Sequence, residues 1–341
     1  MNEYPAGQDM LTRVVLTSTQ DKVFMRRVPG VIASVVTFAL LLAGCSSNSS
    51  EPTAAESTNS ASPTSSPEPS PTPTEDPPEL VGGGTELFPD KRFIALYGHP
   101  NQAALGALGE QGPEESAERV TELAEMYEAH SEEEVHPAFE IIVTVASDQP
   151  GADGNYSSVT DPAEIEPFID VAEEHDIYVV LDLQPGHADF LSQAKVYEDL
   201  LKRPNVGLAL DPEWRLAEGQ VHMQQIGSVS AAEINETAAW LADLTAENDL
   251  PQKMVILHQF RHSMIQDREQ VETDHDELAM VLHADGHGTP DSKMETWTSL
   301  QEGLPDDMYM AWKNFYLQDE PMFSPKETFD IEPKPWFVSY Q

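Results

Sequence analysis

The segment Val206-Gly-Leu-Ala-Leu-Asp-Pro-Glu-Trp214 places two acids two positions apart at the end of a short apolar run. Side chains alternate along a strand, so Gly207, Ala209, Asp211 and Glu213 would share one face, with Val206, Leu208 and Leu210 on the other. On that geometry Asp211 and Glu213 stand about 7 Å apart at Cα and project into one cavity. Two carboxyls held close do not ionise independently: one keeps its proton to higher pH and can serve as a general acid. Glycosidic bond cleavage needs such a pair, a proton for the leaving oxygen and a negative group for the developing cation. The structural alternative is that Asp211 caps the following loop while Glu213 pairs with Arg215.

A second group carries ligand-type side chains. His283-Ala-Asp285-Gly-His287 puts three of them on one face if a strand continues, although Gly286 and Gly288 favour a turn that would separate them. His99, His258, His283 and Asp285 form an alternative ligand set for a divalent metal, the basis of a metal-dependent hydrolase. Tyr97-Gly-His99 supplies half of the paired His-x-His that barrel metallohydrolases carry on their first strand. The leading expectation is metal-free and without cofactor: these residues make a hydrogen-bonded ring that positions a polar ligand. Neither a P-loop, nor a dinucleotide fingerprint, nor a G-x-S-x-G elbow is present.

Something must hold these residues together. After Gly84, short apolar runs alternate with amphipathic helical stretches, the pattern of repeated βα units. The predicted strands cover 92–98, 139–146, 177–183, 206–210, 254–258, 279–283, 309–313 and 336–340. Helices are predicted over 113–130, 165–174 and 188–201, and from a Ser230/Glu233 capping box to about 247. After the fifth and seventh strands the helical pattern is weak. Eight strands in about 260 residues predict an α/β protein, a single (β/α)8 TIM barrel over 85–341. Most of the strands end in polar groups, including Tyr97, His99, Asp182, Gln184, Asp211, Glu213, His258, Gln259, His283, Asp285, Lys313 and Asn314. Those ends form the active face of such a barrel. The expected catalytic set is Glu213, Asp211 and Asp182. Substrate contacts are expected from Tyr97, His99, Trp214, His258, His283, Asp285, His287 and Lys313, with the Trp214 face available to stack on a sugar ring.

The D-x-E segment resembles the corresponding stretch of chitinase-type and lysozyme-like (Chalaropsis-type) glycoside hydrolases. That resemblance implies Glu213 as the acid and Asp211 as its assistant. It departs where chitinases carry two further aspartates, since Val206 and Ala209 occupy those positions. Lys313 stands where the larger clan of retaining barrel glycosidases places a nucleophilic glutamate. The chain as a whole resembles uncharacterised actinobacterial lipoproteins with a C-terminal barrel, which bring no activity with them. A non-catalytic glycan-binding lipoprotein is the third reading.

The N-terminal part reads as an address. Arg26 and Arg27 precede an apolar run from Val28 to Leu42, too short to span a membrane comfortably, which ends in Leu42-Ala43-Gly44-Cys45. This resembles the lipobox of bacterial lipoproteins, which implies a signal peptide over 1–45, acylation of Cys45 and anchorage at the extracellular face of the cell membrane. Glu3, Asp9 and Asp21 are unusual ahead of a signal, so translation from Met25 is expected. Residues 46–84 are rich in Pro, Ser and Thr and have too little to bury to offset their ordering entropy, so they read as an extended tether. Cys45 is the sole cysteine, which excludes an internal disulfide. A formal charge of −42 argues against nucleic acid as a partner and suggests adaptation to high salt. The expected partners are the membrane, through the lipid, and carbohydrate.

Overall fold

The computed structural model describes residues 78–341. Cys45, the lipobox, Met25 and most of the tether lie outside them. Eight parallel strands follow in chain order: β1 (Lys91–Gly98), β2 (Glu134–Ala146), β3 (Tyr178–Leu183), β4 (Val206–Leu210), β5 (Lys253–Gln259), β6 (Leu278–Ala284), β7 (Tyr309–Asn314) and β8 (Phe337–Tyr340). Each pairs with its neighbours in sequence order. β8 also pairs with β1, Phe93 opposite Phe337, so the sheet closes on itself. This is a (β/α)8 TIM barrel, as the strand pattern predicts.

Alternation along the strands makes two cores. In β5, Val255 and Leu257 join the outer core while Met254 and Ile256 fill the barrel. In β4, Val206, Leu208 and Leu210 face outward and Ala209 inward, the faces expected from the sequence. The outer core receives α1 (Pro113–Glu128) through Val120, Leu123, Ala124 and Tyr127, which recur at helical spacing. α2 (Pro162–Glu174) starts at Asp161, whose side chain accepts from the Ala163 N–H. The predicted helix over 188–201 is broken into Phe190–Ala194 and Glu198–Leu201, joined by a 3-10 turn. Ser230 caps the helix Ala231–Glu247 through the Glu233 N–H. The predicted capping box is only half formed, because the Glu233 carboxylate is bound by Arg215, 2.8 Å away. Where the helical pattern is weak, little helix forms: β5 and β6 are joined through short 3-10 turns, and a five-residue helix, Pro325–Phe329, follows β7. Among the described residues no helix is long and apolar enough to cross a membrane.

The chain ahead of β1 closes the barrel floor. Leu80, Val81, Leu87 and Phe88 are buried with Phe93, Tyr178 and Phe337 in the inner core. Gly82, Gly83 and Gly84 all have positive φ in a turn in which the Leu80 N–H donates to Gly84 O. Composition assigned residues up to 84 to the tether. Leu80 and Val81 instead belong to the folded core, two apolar residues too few to register against a Pro-rich background.

Candidate active site at the barrel mouth

Above Ala95, Val180, Ala209, Ile256, Val281 and Ala311, the inward face changes from apolar to polar. Each strand contributes: Tyr97, Glu140, Asp182, His258, His283, Lys313 and Ser339 from within seven of the strands, and Asp211 immediately after β4. All are buried. Asp285 follows β6 at 9% exposure, and Glu213 retains partial exposure at the rim. A buried polar group without a partner is costly, and most of these side chains bond to one another.

His258 is at the centre. Its Nδ1 lies 2.9 Å from Asp285 Oδ2 and its Nε2 lies 2.8 Å from Glu140 Oε1. Burial acts to strip its proton, but Glu140 and Asp285 outweigh burial and hold its pKa well above the ordinary value. Burial likewise raises the Glu140 carboxyl, and His258 and His283 more than reverse this. Lys313 Nζ lies 3.3 Å from Asp285 Oδ2 and 3.6 Å from the centroid of the Tyr97 ring. Against the effect of burial, Lys313 and His258 hold the Asp285 carboxyl below its ordinary value, so it is ionised.

The remaining acids move the other way. Tyr97 Oη donates to Asp182 Oδ2 at 2.8 Å, and burial pushes Asp182 up to about 8. Burial raises Asp211 to about 6. Glu213 is raised well above its ordinary value, by burial first and then by the charges of Asp211 and Asp285. The site therefore holds carboxyls of opposite tendency: Asp285 fixed as the anion and Glu213 inclined to keep its proton.

The two acids of the D-x-E segment lie close enough for the charge of Asp211 to raise Glu213, but strand alternation is not the cause. β4 ends at Leu210, and Asp211 caps a 3-10 turn, Pro212–Trp214, by accepting from the Glu213 N–H at 3.1 Å. Proline ends the strand, so the Cα separation drawn from an extended chain does not apply. The capping half of the structural alternative is thus correct. Its other half is not, because Arg215 binds Glu233 rather than Glu213.

His99 departs from the expected set. Its Nε2 lies 2.9 Å from Thr160 Oγ1 and its Nδ1 lies 2.6 Å from Pro100 O. The alternative metal set therefore loses a member: among the described residues, the groups close enough to share an ion are Glu140, His258 and His283, or Asp211, His258 and Asp285. His287 is in neither group and lies edge-on to Phe315 at 5.7 Å. Trp214 lies beside His222, ring centroids 5.4 Å apart, and is partly exposed. Tyr97 and Asp182 are buried and bonded to each other at 2.8 Å. Gln259 is spent on Arg268, whose Nη1 donates to its Oε1 at 2.7 Å.

Glu140 and Ser339 were missed. Glu140 lies within the apolar run Ala138-Phe-Glu-Ile-Ile-Val143. A single acid inside a run otherwise destined for the core is itself a signal, since charge is buried only when paired. Ser339 carries no comparable mark.

The chain matches no family model and no curated protein. Among solved structures it is similar to the xylanase and alpha-amylase inhibitor protein from Scadoxus multiflorus, at 11% identity and a TM-score of 0.40 over 73% of this chain and 92% of that one. It is also similar to a quadruple mutant of an alpha-N-acetylgalactosaminidase from Bifidobacterium bifidum, at 11% identity and a TM-score of 0.30 over 66% of this chain and 43% of that one. At such identity and TM-scores, neither carries a residue role to this chain.

Proposed function

We propose that the barrel is a glycan-directed hydrolase in which Glu213 is the general acid. The observation that carries this is the juxtaposition at the rim of a carboxyl that keeps its proton, Glu213, with one held ionised by Lys313 and His258, Asp285. Environments that drive two carboxyls apart in this way assign acid and anion. Glu213 gives its proton to the oxygen that leaves the anomeric carbon. The Asp285 carboxylate, with Asp211, steadies the cationic centre. A water then adds there and surrenders a proton, which restores the acid. Trp214 supplies the stacking face, while Tyr97 and Asp182 position the ring of charges. We further place the enzyme on a lipid anchor at Cys45, on the outer face of the membrane, with the Pro/Ser/Thr-rich segment as its spacer.

Release of reducing ends from a panel of cell-wall and storage polysaccharides tests the reading. Glu213→Gln should lower turnover by about 10²–10⁴-fold, the ordinary contribution of a positioned acid. Asp211→Asn should lower it less. Activity that survives both changes removes the pair from catalysis. Glycan binding without turnover would favour the binding-module reading, which the depth of most of the ring also fits. Labelling with a fatty-acid analogue that is lost in Cys45→Ser tests the anchor.

A further inference from the structure

We propose that Glu140, His258 and His283, at the centre of the barrel, bind one first-row divalent transition-metal ion, zinc foremost. Three observations converge. The first is spacing. His258 Nε2 lies 2.8 Å from Glu140 Oε1 and 3.9 Å from Asp182 Oδ1, and His283 Nδ1 lies 3.7 Å from Glu140 Oε1. Bonds of about 2.0–2.1 Å to a tetrahedral zinc place ligand atoms about 3.4 Å apart. Glu140, His258 and His283 each offer a ligand atom within 4.8 Å of the others, and the two spans to Glu140 bracket that value, so small side-chain rotations bring these three groups onto one ion.

The second is unsatisfied polarity. Glu140 Oε2, Asp182 Oδ1 and His283 Nδ1 are buried and have no hydrogen-bond partner. The 3.7 Å from His283 Nδ1 to Glu140 is too long for a hydrogen bond. Buried polar atoms are nearly always paired, and here three unpaired ones come from three strands to the groups surrounding one histidine. The second grouping, Asp211, His258 and Asp285, has no such orphans. Asp285 is spent on His258 and Lys313, and Asp211 on the Glu213 N–H.

The third is support from behind. Metal-bound imidazoles usually donate their other nitrogen to a carboxylate or another oxygen, which fixes the tautomer and aims the ring. His258 has Asp285 Oδ2 at 2.9 Å from Nδ1, and His283 has Ser339 Oγ at 3.2 Å from Nε2. With Nε2–H given to Ser339, the Nδ1 lone pair of His283 turns inward. His258 and His283 are register partners on adjacent strands, which brings both imidazoles to one level. Two imidazoles with a carboxylate suit zinc and its neighbours, whereas calcium and magnesium prefer all-oxygen sets.

The site does not depend on the hydrolase reading, and its test needs no turnover. The full chain, stripped with a chelator and titrated with Zn²⁺, should bind one equivalent that survives gel filtration. X-ray absorption of the zinc-loaded wild type should show two imidazole nitrogens at about 2.0–2.1 Å. Glu140→Gln and His283→Ala, with folding checked by circular dichroism, should each weaken binding by at least 100-fold. Ser339→Ala should weaken it by about 10–100-fold, the usual effect of an outer-shell partner. The proposal is overturned if no tight equivalent binds. It is equally overturned by a shell of oxygens alone, or by affinity unchanged in the Glu140 and His283 variants, as adventitious binding to surface acids would give. In those cases water, rather than metal, satisfies the orphaned atoms.

Discussion

Ile256 and His258 are two residues apart on β5, face the same interior and are both fully buried, yet they stand in opposite worlds. Ile256 touches the apolar lower layer with Val180, Ala209 and Val281, sealed from beneath by Leu87 and Phe88. His258 touches Glu140 and Asp285. The lower half holds together by volume and dispersion, which tolerate small changes at small cost. The upper half holds together by charges that are affordable only jointly, so removing one exposes the rest. One strand therefore carries both the stability of the barrel and its chemistry, divided within about 7 Å along its length.

The sharpest test exchanges character across that division. His258→Leu leaves Glu140 and Asp285 facing a hydrocarbon and should cost about 3–5 kcal/mol in denaturant unfolding, the range for breaking a buried ion pair. A loss no greater than that of an ordinary core trim would erase the contrast between the halves. Tyr97→Phe removes the donor to Asp182 Oδ2 and should cost about 1–3 kcal/mol, the penalty for stranding a buried acceptor. Ile256→Val, in the lower half, should cost about 0.5–1.5 kcal/mol by the same measurement.

The prediction most diagnostic in shape concerns Lys253 at the base of β5. It is fully buried, and its Nζ donates to the carbonyls of Arg203 and Val206, both at 2.9 Å. Burial pushes its pKa down to about 7. The unfolded chain holds this proton up to about pH 10.4, so between the two values the unfolded state binds more protons. The penalty of burying the charge is then complete below pH 7 and disappears as pH climbs toward 10. Lys253→Met should be most stabilising near pH 6 and lose most of its advantage by about pH 10. A stability difference from wild type that stays flat across this window would mean that Lys253 remains charged in the fold.

Several features were legible in the chain alone. Period-two apolar runs separated by helical ones are local, and they suffice for eight strands, their faces and the polar residues at their ends. Asp182, His258, His283 and Lys313 could be named because strand ends in such a barrel point to one mouth. The weak helical pattern after the fifth and seventh strands corresponds to connections with little helix. Leu80 and Val81 read as tether because their burial depends on a floor that exists only once the barrel closes.

Ring closure decided the rest. Glu140 on β2 meets His258 on β5 across the interior, 118 residues away in sequence, and no local periodicity encodes that distance. His99 directly follows β1, but its ring meets Thr160 and not the central acids. Pro212 converts a presumed strand into a cap, so Glu213 reaches the mouth by a 3-10 turn. Sequence specifies which residues are polar and which way a strand presents them, because alternation is a property of the backbone. Which charge neutralises which is set by the stagger of eight strands around a closed ring, a property of the whole barrel and of no single segment within it.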